Sequence, residues 1–411
     1  MMAIMQETKH SMLRRCRGWD YCQPCIYMIT LVLADRRSKA LGRLVVDGLA
    51  LPRQAQDRTR QAQGRASIVL SPAGEAVFAE FRRIGEHHSE IKPLFMQVMP
   101  DHVHFILQVM RPMTRPIGQA IAGFKAGSSK AAIGRSGFWA EGFQDTILLH
   151  EGQLDSMFDY LRDNPRRLAV KQLMPDFFRV RNDLCLALPR PVQGRAACSV
   201  PRAAALGLTE AGFTAHFSAI GNLFLLDSPS IIQVQCSRAD FVYKRIAKPG
   251  GGSKIVRNAD GTPIIEKTTP QFEEKRDELL AAAKHGAVLI SPCISDGERE
   301  IARFAFVSSR PVIALRNMGF SPLYKPGGKL FDKTANGKLL LLAPAAWPYS
   351  TVEKPMTRFD ACVMNRLAQL IAGPGAAEID YKGMQPNDIE RLVREAVAKT
   401  SNGENHASKD E

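Results

Sequence analysis

The 411-residue sequence lacks any apolar run approaching the ~20 residues of a membrane-spanning helix. Its first residues also lack the apolar segment and small-residue cleavage site of a secretory signal peptide. These absences argue against a membrane-spanning or secreted protein. We expect a cytoplasmic location.

Cysteine is also sparse, with eight residues scattered along the chain. Cys22 and Cys25 are spaced like half of a zinc knuckle, but no second pair follows, which argues against a structural zinc ion. Reduced thiols are therefore expected. The chain also has no G-x-G-x-x-G fingerprint and no P-loop, and its glycine run Gly250–Ser253 predicts a flexible loop rather than a phosphate cradle.

Acidic residues are outnumbered by basic ones, which gives a net charge of +14. Residues 1–190 contain 27 Lys and Arg against 18 Asp and Glu, whereas residues 191–411 contain 28 against 23. A basic surface favours nucleic acid through phosphate contacts and counterion release. An anionic membrane surface would also suit this charge, but no basic amphipathic stretch stands out.

The most informative segment present is Val98–Leu107, which contains a His-x-His pattern and reads as a strand. Side chains two apart on a strand share a face, so His102 and His104 converge on one side. Neutral imidazole is a common metal ligand, and the pair predicts a site for a divalent metal. The alternative is a half-buried histidine pair on a polar sheet face.

A second segment, residues 154–168, has helical spacing and places Tyr160 and Asn164 one turn apart on a shared face. Pro165 indicates that this helix ends near Asn164 or kinks there. A tyrosine, a carboxamide and a histidine pair are the parts of a metal-assisted phosphodiester transfer. Otherwise Tyr160 is an ordinary helix tyrosine at the edge of a core.

Five stretches of the first half, taken in combination, resemble the motifs of HUH single-strand transposases with one catalytic tyrosine. Among these, the REP-associated tyrosine transposases are the branch they resemble best, over roughly residues 20–180. The stretches are Cys25–Leu31, Val98–Leu107, Gly123–Lys125, Gly137–Phe143 and Tyr160–Pro165.

The resemblance implies a role for each matching residue. His102, His104 and Asn164 would bind Mg²⁺ or Mn²⁺, with Asn164 as the third ligand. Tyr160 would be the nucleophile, forming a 5′-phosphotyrosine link and freeing a 3′-hydroxyl. The partner would be single-stranded DNA with hairpin-forming repeats, and two-ended transposition would need a homodimer or two successive events, since each chain has one such tyrosine.

Candidate DNA contacts surround these residues. Lys125 and Arg115 would contact phosphates, unless they belong to a solvated helix face. Trp139, like Phe143, would stack on an unpaired base or serve as a core anchor. Three arginines flank the tyrosine and would hold the strand or simply be exposed; these are Arg162, Arg166 and Arg167.

The order strand, helix, two strands, helix predicts an α+β sandwich for the first domain. The resemblance implies a ferredoxin-like core with the His-x-His on a central strand. Predicted strands are Tyr27–Leu33, Arg43–Asp47, Ser67–Leu70, Phe95–Met99 and His102–Val109. Predicted helices are Ser71–Ile84, with Ser71 as N-cap, Ile117–Ile133 and the tyrosine helix.

Four short apolar runs in the second half are typical of buried parallel strands, and helical stretches near 270–285, 296–306 and 356–372 separate them. We therefore predict an α/β doubly wound, Rossmann-like domain. Its patterns Ile220–Leu226, 236–238 and Gly286–Ser291 are similar to the core of DNA-processing protein A, from which no site residue follows. The runs are Ile231–Cys236, Ala287–Ser291, Pro311–Leu315 and Lys338–Ala343.

The predicted organisation has four parts. Residues 1–185 form the HUH transposase-like catalytic domain, residues 186–205 a linker rich in proline and alanine, and residues 206–375 the Rossmann-like domain. Residues 376–411 form a C-terminal helix and a polar, disordered tail.

Three functions remain open from the sequence. The first is a metal-dependent single-stranded DNA transesterase. The second is a non-catalytic DNA-binding protein derived from such an enzyme, against which the intact histidines, tyrosine and asparagine count. The third is an unrelated metal-dependent hydrolase whose tyrosine is incidental. A covalent DNA adduct separates the first from the other two.

Overall fold

The computed structural model describes residues 16, 18–47, 65–189, 212–236, 241–247, 253–257, 264–321, 323–352, 356–373 and 383–399. The chain divides into two compact units, Met1–Leu173 and Met174–Glu411. Both units are mixed α/β, with several sheets. None of the described helices is long and apolar enough to cross a membrane.

The first unit contains a four-stranded antiparallel sheet, a separate two-stranded hairpin and helices. In chain order the elements are β1 (Cys25–Val32), β2 (Gly42–Asp47), β3 (Arg65–Leu70), α1 (Pro72–His87), β4 (Ile91–Val98), β5 (His102–Val109), α2 (Ile117–Ile133), β6 (Gln144–Leu148) and α3 (Gln153–Leu173). The large sheet has the order β4-β5-β1-β6, and β2 pairs with β3. The N-cap predicted for α1 is confirmed, because the Ser71 side chain accepts the Gly74 N–H.

The two faces of the large sheet differ in polarity. On one face Val103, Phe105 and Leu107 of β5 are fully buried, and Phe105 packs against Phe81 of α1 and Phe124 of α2. The intervening residues point to the opposite face because strand side chains alternate. That opposite face carries the histidines, and α3 lies against it.

Helix α3 continues through Pro165 to Leu173. The expectation that it could end near Asn164 is wrong. Proline removes one backbone donor and disfavours a helix interior. Burial of one side of the helix offsets that cost, since tertiary packing supplies most helix stability in proteins. The buried residues are Leu161, Asn164, Pro165, Ala169 and Val170.

The second unit is built on a six-stranded sheet with the order β7-β8-β16-β15-β14-β9. Its strands are β7 (Arg181–Leu188), β8 (Phe213–Gly221), β9 (Ile231–Gln233), β14 (Val288–Ser291), β15 (Val312–Leu315) and β16 (Leu339–Pro344). Small paired strands are β10 (Phe241–Tyr243) with β13 (Ile265–Thr268), and β11 (Arg245–Ala247) with β12 (Ser253–Ile255). Helices are α4 (Pro270–Lys284), α5 (Asp296–Val307), α6 (Gly328–Ala335), α7 (Arg358–Ala372) and α8 (Pro386–Ala396), with 3₁₀ turns at Pro175–Phe178 and Leu223–Asp227.

The four apolar runs predicted as buried parallel strands are confirmed as β9, β14, β15 and β16. Helices cover both sides: α4 and α5 pack on one face, and α7 and α8 on the other. A doubly wound sheet reverses its strand order at a switch point. The described parallel strands instead follow chain order without a reversal, so the doubly wound prediction is wrong for them.

The boundary between the units differs from the predicted linker at 186–205. Strand β7 pairs with β8 at Arg181 and again from Leu184 to Leu188, and residues 174–188 belong to the second unit. Helix α8 packs into the core of the same unit through Ile389 and Val393. Residues 190–211, most of the Gly250–Ser253 run and the tail from 400 lie outside the described residues.

Candidate functional site

The site is centred on the two histidines at the start of β5. The Nε2 atoms of His102 and His104 lie 3.1 Å apart, and their rings meet edge to face with centroids 4.7 Å apart. Gln97 of β4 and Thr30 of β1 are the cross-strand partners of His104. The alternation of β5 therefore brings both imidazoles to the polar face, as the sequence predicted.

Each histidine is oriented through its Nδ1 atom. Asp101 Oδ1 lies 2.6 Å from Nδ1 of His102, and Thr30 Oγ1 lies 2.8 Å from Nδ1 of His104. Burial disfavours the charged form of Asp101, but contacts with His102 and Arg36 outweigh burial and hold its pKa below the ordinary value. Asp101 is therefore an acceptor, and His102 donates to it.

Thr30 directs its own hydroxyl proton towards the sulfur of Met28, 3.6 Å away, and so can accept from His104. The tautomers that donate through Nδ1 are the ones that leave both Nε2 atoms, 3.1 Å apart, as acceptors for a cation. Burial, assisted by the charge of His102 and opposed by Asp101, lowers the pKa of His104 to about 3. This imidazole is neutral at ordinary pH, the form in which histidine binds metals.

Helix α3 places the predicted nucleophile beside this pair. The ring of Tyr160 lies 6.4 Å from the ring of His104, centroid to centroid, and the side chain is 40% exposed. The guanidinium of Arg167 lies 5.4 Å from the centre of the Tyr160 ring. Asp163 accepts from Arg167 and holds it in position. The tyrosine is therefore accessible, with a cation and a metal-type ligand next to it.

Asn164 follows Tyr160 by one helical turn and is buried, with an exposed fraction of 8%. Its amide nitrogen has no hydrogen-bond partner among the described residues. No hydrogen bond joins Asn164 to either histidine within the same residues. The predicted third ligand thus lies on the helix that covers the histidines, as an unsatisfied buried amide.

The residues present fit a hard divalent cation. Two Nε2 atoms 3.1 Å apart match neighbouring ligands of an octahedral ion with bonds of about 2.1 Å. Within the described ranges no three His, Cys, Asp or Glu side chains cluster as a metal site. A third ligand would therefore come from another residue type, and Asn164 is the one that the sequence predicted.

Two predicted DNA contacts are engaged inside the fold. The Lys125 ammonium donates to the carbonyls of Ala140 and Gly142, and burial lowers its pKa against the opposing charge of Glu141. Trp139 is buried and donates its indole N–H to Ser128. Lys125 therefore fastens the loop that carries Trp139, and Trp139 is a core anchor rather than an exposed stacking platform.

The four predicted arginines lie in different surroundings. Arg115 is exposed. Arg166 forms a bidentate ion pair with Asp163, which also binds Arg167. Arg162 is exposed and lies over the rings of two phenylalanines. Arg166 and Arg167 thus share the carboxylate of Asp163, and Arg167 is the one that lies beside the tyrosine, whereas Arg162 lies over Phe95 and Phe158.

Three orienting residues were missed from the sequence. Asp101 directly precedes His102, and its carboxylate was a visible signal next to the motif. Arg36 binds Asp101 with an N–O distance of 2.7 Å, and Thr30 reaches His104 across the sheet. No local pattern reveals such partners, because 65 and 74 residues separate them from their targets.

No family model and no curated protein matches the sequence. Solved structures similar to the chain include a REP-associated tyrosine transposase bound to a REP hairpin, at 17% identity and a TM-score of 0.24. That match covers 39% of this chain and 73% of the other. A candidate transposase from Deinococcus radiodurans R1 matches at 13% identity and a TM-score of 0.19, covering 36% of this chain and 95% of the other.

Proposed function

We propose that the protein is a metal-dependent single-stranded DNA transesterase of the HUH transposase type, with Tyr160 as its nucleophile. The observation that carries the proposal is the placement of an accessible tyrosine beside two histidines whose Nε2 atoms face each other at 3.1 Å. Neither the histidine pair nor the tyrosine alone would indicate this chemistry.

The proposal gives each of these side chains a role. His102, His104 and Asn164 would hold Mg²⁺ or Mn²⁺, which when bound polarises the scissile phosphate and offsets charge on its oxygens. The Tyr160 oxygen bonds to phosphorus and its proton passes to solvent, while the bond from phosphorus to the 3′-oxygen breaks and that oxygen takes up a proton from solvent. A 5′-phosphotyrosine and a free 3′-hydroxyl result. Arg167 keeps a positive charge beside the tyrosine throughout, where it attracts the phosphate.

The topology of the first unit supports the proposal. Apart from the inserted β2–β3 hairpin, the chain order β1-α1-β4-β5-α2-β6 and the sheet order β4-β5-β1-β6 would suit a ferredoxin-like core, and the histidines lie on a central strand. The net charge of +14 favours a nucleic acid partner. Hairpin-forming single-stranded DNA, and a homodimer that supplies two tyrosines, complete the proposal.

The test is a covalent adduct assay. Purified protein is incubated with labelled single-stranded hairpin DNA from the flanks of its own gene, with Mn²⁺ or with EDTA, and the products are separated on a denaturing gel. We expect a metal-dependent band at the combined mass of protein and DNA. Tyr160→Phe should abolish this band and leave DNA binding within about twofold of wild type, because only the hydroxyl is lost.

Tyr349→Phe is the matched control, since Tyr349 is also exposed and lies in the second unit. An adduct in Tyr160→Phe would refute the nucleophile, and full activity in EDTA would refute the metal. DNA binding without an adduct would favour a non-catalytic DNA-binding protein. Cleavage without a covalent intermediate would favour a hydrolase.

A further inference from the structure

A cleft of about 350 Å³ lies along β4, outside the histidine site. We name it the β4 cleft; its lining residues are Phe78, Phe81 and Arg82 of α1 and Pro93, Leu94, Phe95 and Met96 of β4. Strand β4 is the edge of the described four-stranded sheet. The cleft therefore joins an aromatic helix face to a strand edge.

Arginines lie over the aromatic rings at and beside this cleft. The guanidinium of Arg82 is 5.3 Å from the centre of the Phe78 ring. On the α3 side, Arg162 lies 5.6 Å from the ring of Phe95 and 5.5 Å from that of Phe158. Arg82 is exposed, and the Arg162 side chain is 64% exposed. Aromatic rings with exposed arginine side chains lying over them offer both a surface for stacking and a positive charge.

The local backbone disfavours a peptide strand as the occupant. The β4–β5 register shifts between Pro93 and Phe95, which leaves Leu94 without a cross-strand partner in the β5 ladder. Pro93 has no N–H to offer to an added strand, and both proline and bulges protect sheet edges from strand addition. The edge thus presents side chains rather than a regular ladder of backbone donors.

The β4 cleft and the histidine face of the sheet share one side chain, Phe95 of the edge strand. Phe95 and Gln97 alternate on the histidine face, and Gln97 is the cross-strand partner of His104. Phe158 and Arg162 are four residues apart on α3, on either side of Tyr160, and Phe158 meets Phe95 edge to face at 5.7 Å. Phe95 therefore connects the cleft, whose other wall is α1, with the ring and the guanidinium that α3 places at the same sheet edge.

We infer that the β4 cleft binds an unpaired base of the single-stranded DNA away from the cleaved phosphate, with Arg82 and Arg162 contacting phosphates of the same strand. The inference names a subsite of the proposed function and rests on it. Every base has a face that can stack on aromatic rings, and arginine adds cation–π attraction and phosphate contact. Duplex DNA, whose bases are already stacked, gains nothing from such a cleft.

The inference is tested by binding in EDTA, where no metal-dependent cleavage occurs. The probe is a labelled single-stranded oligonucleotide carrying one 2-aminopurine, whose fluorescence falls when the base stacks, and the position of this base is varied. Arg82→Gln and Phe78→Leu should each weaken binding at least about fivefold. Phe78→Leu should also restore the fluorescence of the 2-aminopurine at one position.

Arg83→Gln is the matched control, because Arg83 neighbours Arg82 but forms ion pairs with Glu80 and Glu86 on the same helix. Arg82 is exposed, so its replacement leaves the fold intact and keeps the test valid even where Phe78→Leu is less stable. Unchanged binding in Arg82→Gln, or equal losses in Arg82→Gln and Arg83→Gln, would overturn the subsite.

The adduct assay of the proposed function gives an independent readout. If the adduct forms equally well in wild type, Arg82→Gln and Phe78→Leu at limiting DNA, the base-binding role of the β4 cleft is refuted and Tyr160 remains the nucleophile. If these variants lose DNA binding and 2-aminopurine quenching while no protein forms an adduct, the β4 cleft is supported as a DNA-binding site and the transesterase function is refuted.

Discussion

Thr30 and Asp101 are the residues that decide how His104 and His102 present their Nε2 atoms. Partners that accept from Nδ1 fix the tautomer of a metal-binding histidine, and losing one typically weakens metal affinity 10- to 100-fold, in order of magnitude. Thr30→Val keeps the shape of the side chain but removes the oxygen that lies 2.8 Å from Nδ1 of His104. We expect weaker Mn²⁺ binding by about tenfold or more, measured by titration calorimetry of the full chain.

Thr146→Val is the control for this prediction. Thr146 is the cross-strand partner of Met28 on β6, faces the same side of the sheet and is exposed. It should bind Mn²⁺ as tightly as wild type. Equal affinities for Thr30→Val and wild type would show that the hydroxyl does not orient the ligand.

Among single residues, the sequence predicted which side chains share a face wherever the spacing along one strand or helix decides it. His102 and His104 share a strand face, and Tyr160 and Asn164 share a helix face, so local periodicity brings each pair together. The structural roles of Lys125 and Trp139 could not be predicted, because they depend on partners elsewhere in the chain. Lys125 binds the carbonyl oxygens of a loop, and Trp139 binds the buried hydroxyl of Ser128. Such partners exist only once the chain is folded.

Among the elements, helix α5 begins with a capping box that is partly buried. Glu298 accepts from the backbone N–H groups of Ile294 and Ser295, and the Ser295 hydroxyl accepts the Glu298 N–H in return. Burial raises the pKa of Glu298 above its ordinary 4.5, although these donors favour the charged form. The folded unit therefore holds this proton more tightly than the unfolded chain does.

The sign of the pH dependence follows from that shift. A raised carboxyl pKa contributes stability that is full below the unfolded value and is lost as the pH rises through the folded value. We expect the wild-type free energy of opening of α5 to fall relative to that of Glu298→Gln as the pH rises above 4.5. Amide hydrogen exchange of α5 measures this difference. Glu300→Gln, on the same helix in an ion pair with Arg303, should follow wild type, and a Glu298→Gln profile parallel to wild type would contradict the argument.

Helices and strands were predictable from the sequence where both faces of a strand are buried or where apolar residues recur at the period of the element. Strands β14, β15 and β16 are continuous apolar runs, because helices cover both of their faces. Strand β6 was missed because its sequence Gln-Asp-Thr-Ile-Leu is short and largely exposed. Strand β7 was missed because it alternates exposed and half-buried residues at the edge of the described sheet. Pro165 predicted a helix end or a kink near Asn164, but burial of one side of α3 lets the helix continue to Leu173.

For the whole molecule, the decisive element is β7, which assigns residues 174–188 to the second unit. The low-periodicity stretch after residue 186 suggested a later boundary, but the antiparallel pairing of β7 with β8 ties these residues to the following sheet. Leu188 is fully buried there, and Leu184 and Leu186 pack against the same core. The boundary predicted from composition, at residue 186, therefore falls inside strand β7 and interrupts its pairing with β8.

This assignment predicts how fragments behave. The fragment 174–411 keeps the ladder, whereas 206–411 exposes the edge of β8 and the apolar surface that the three leucines cover. We expect the shorter fragment to be less stable by roughly 3 kcal/mol, from the burial of about one to two leucine side chains, as measured by urea unfolding followed by circular dichroism. It should also self-associate, because an uncovered strand edge is a template for pairing. Leu188→Ala in the longer fragment isolates the packing contribution, while equal stability and solubility of the two fragments would show that β7 is dispensable and restore the later boundary.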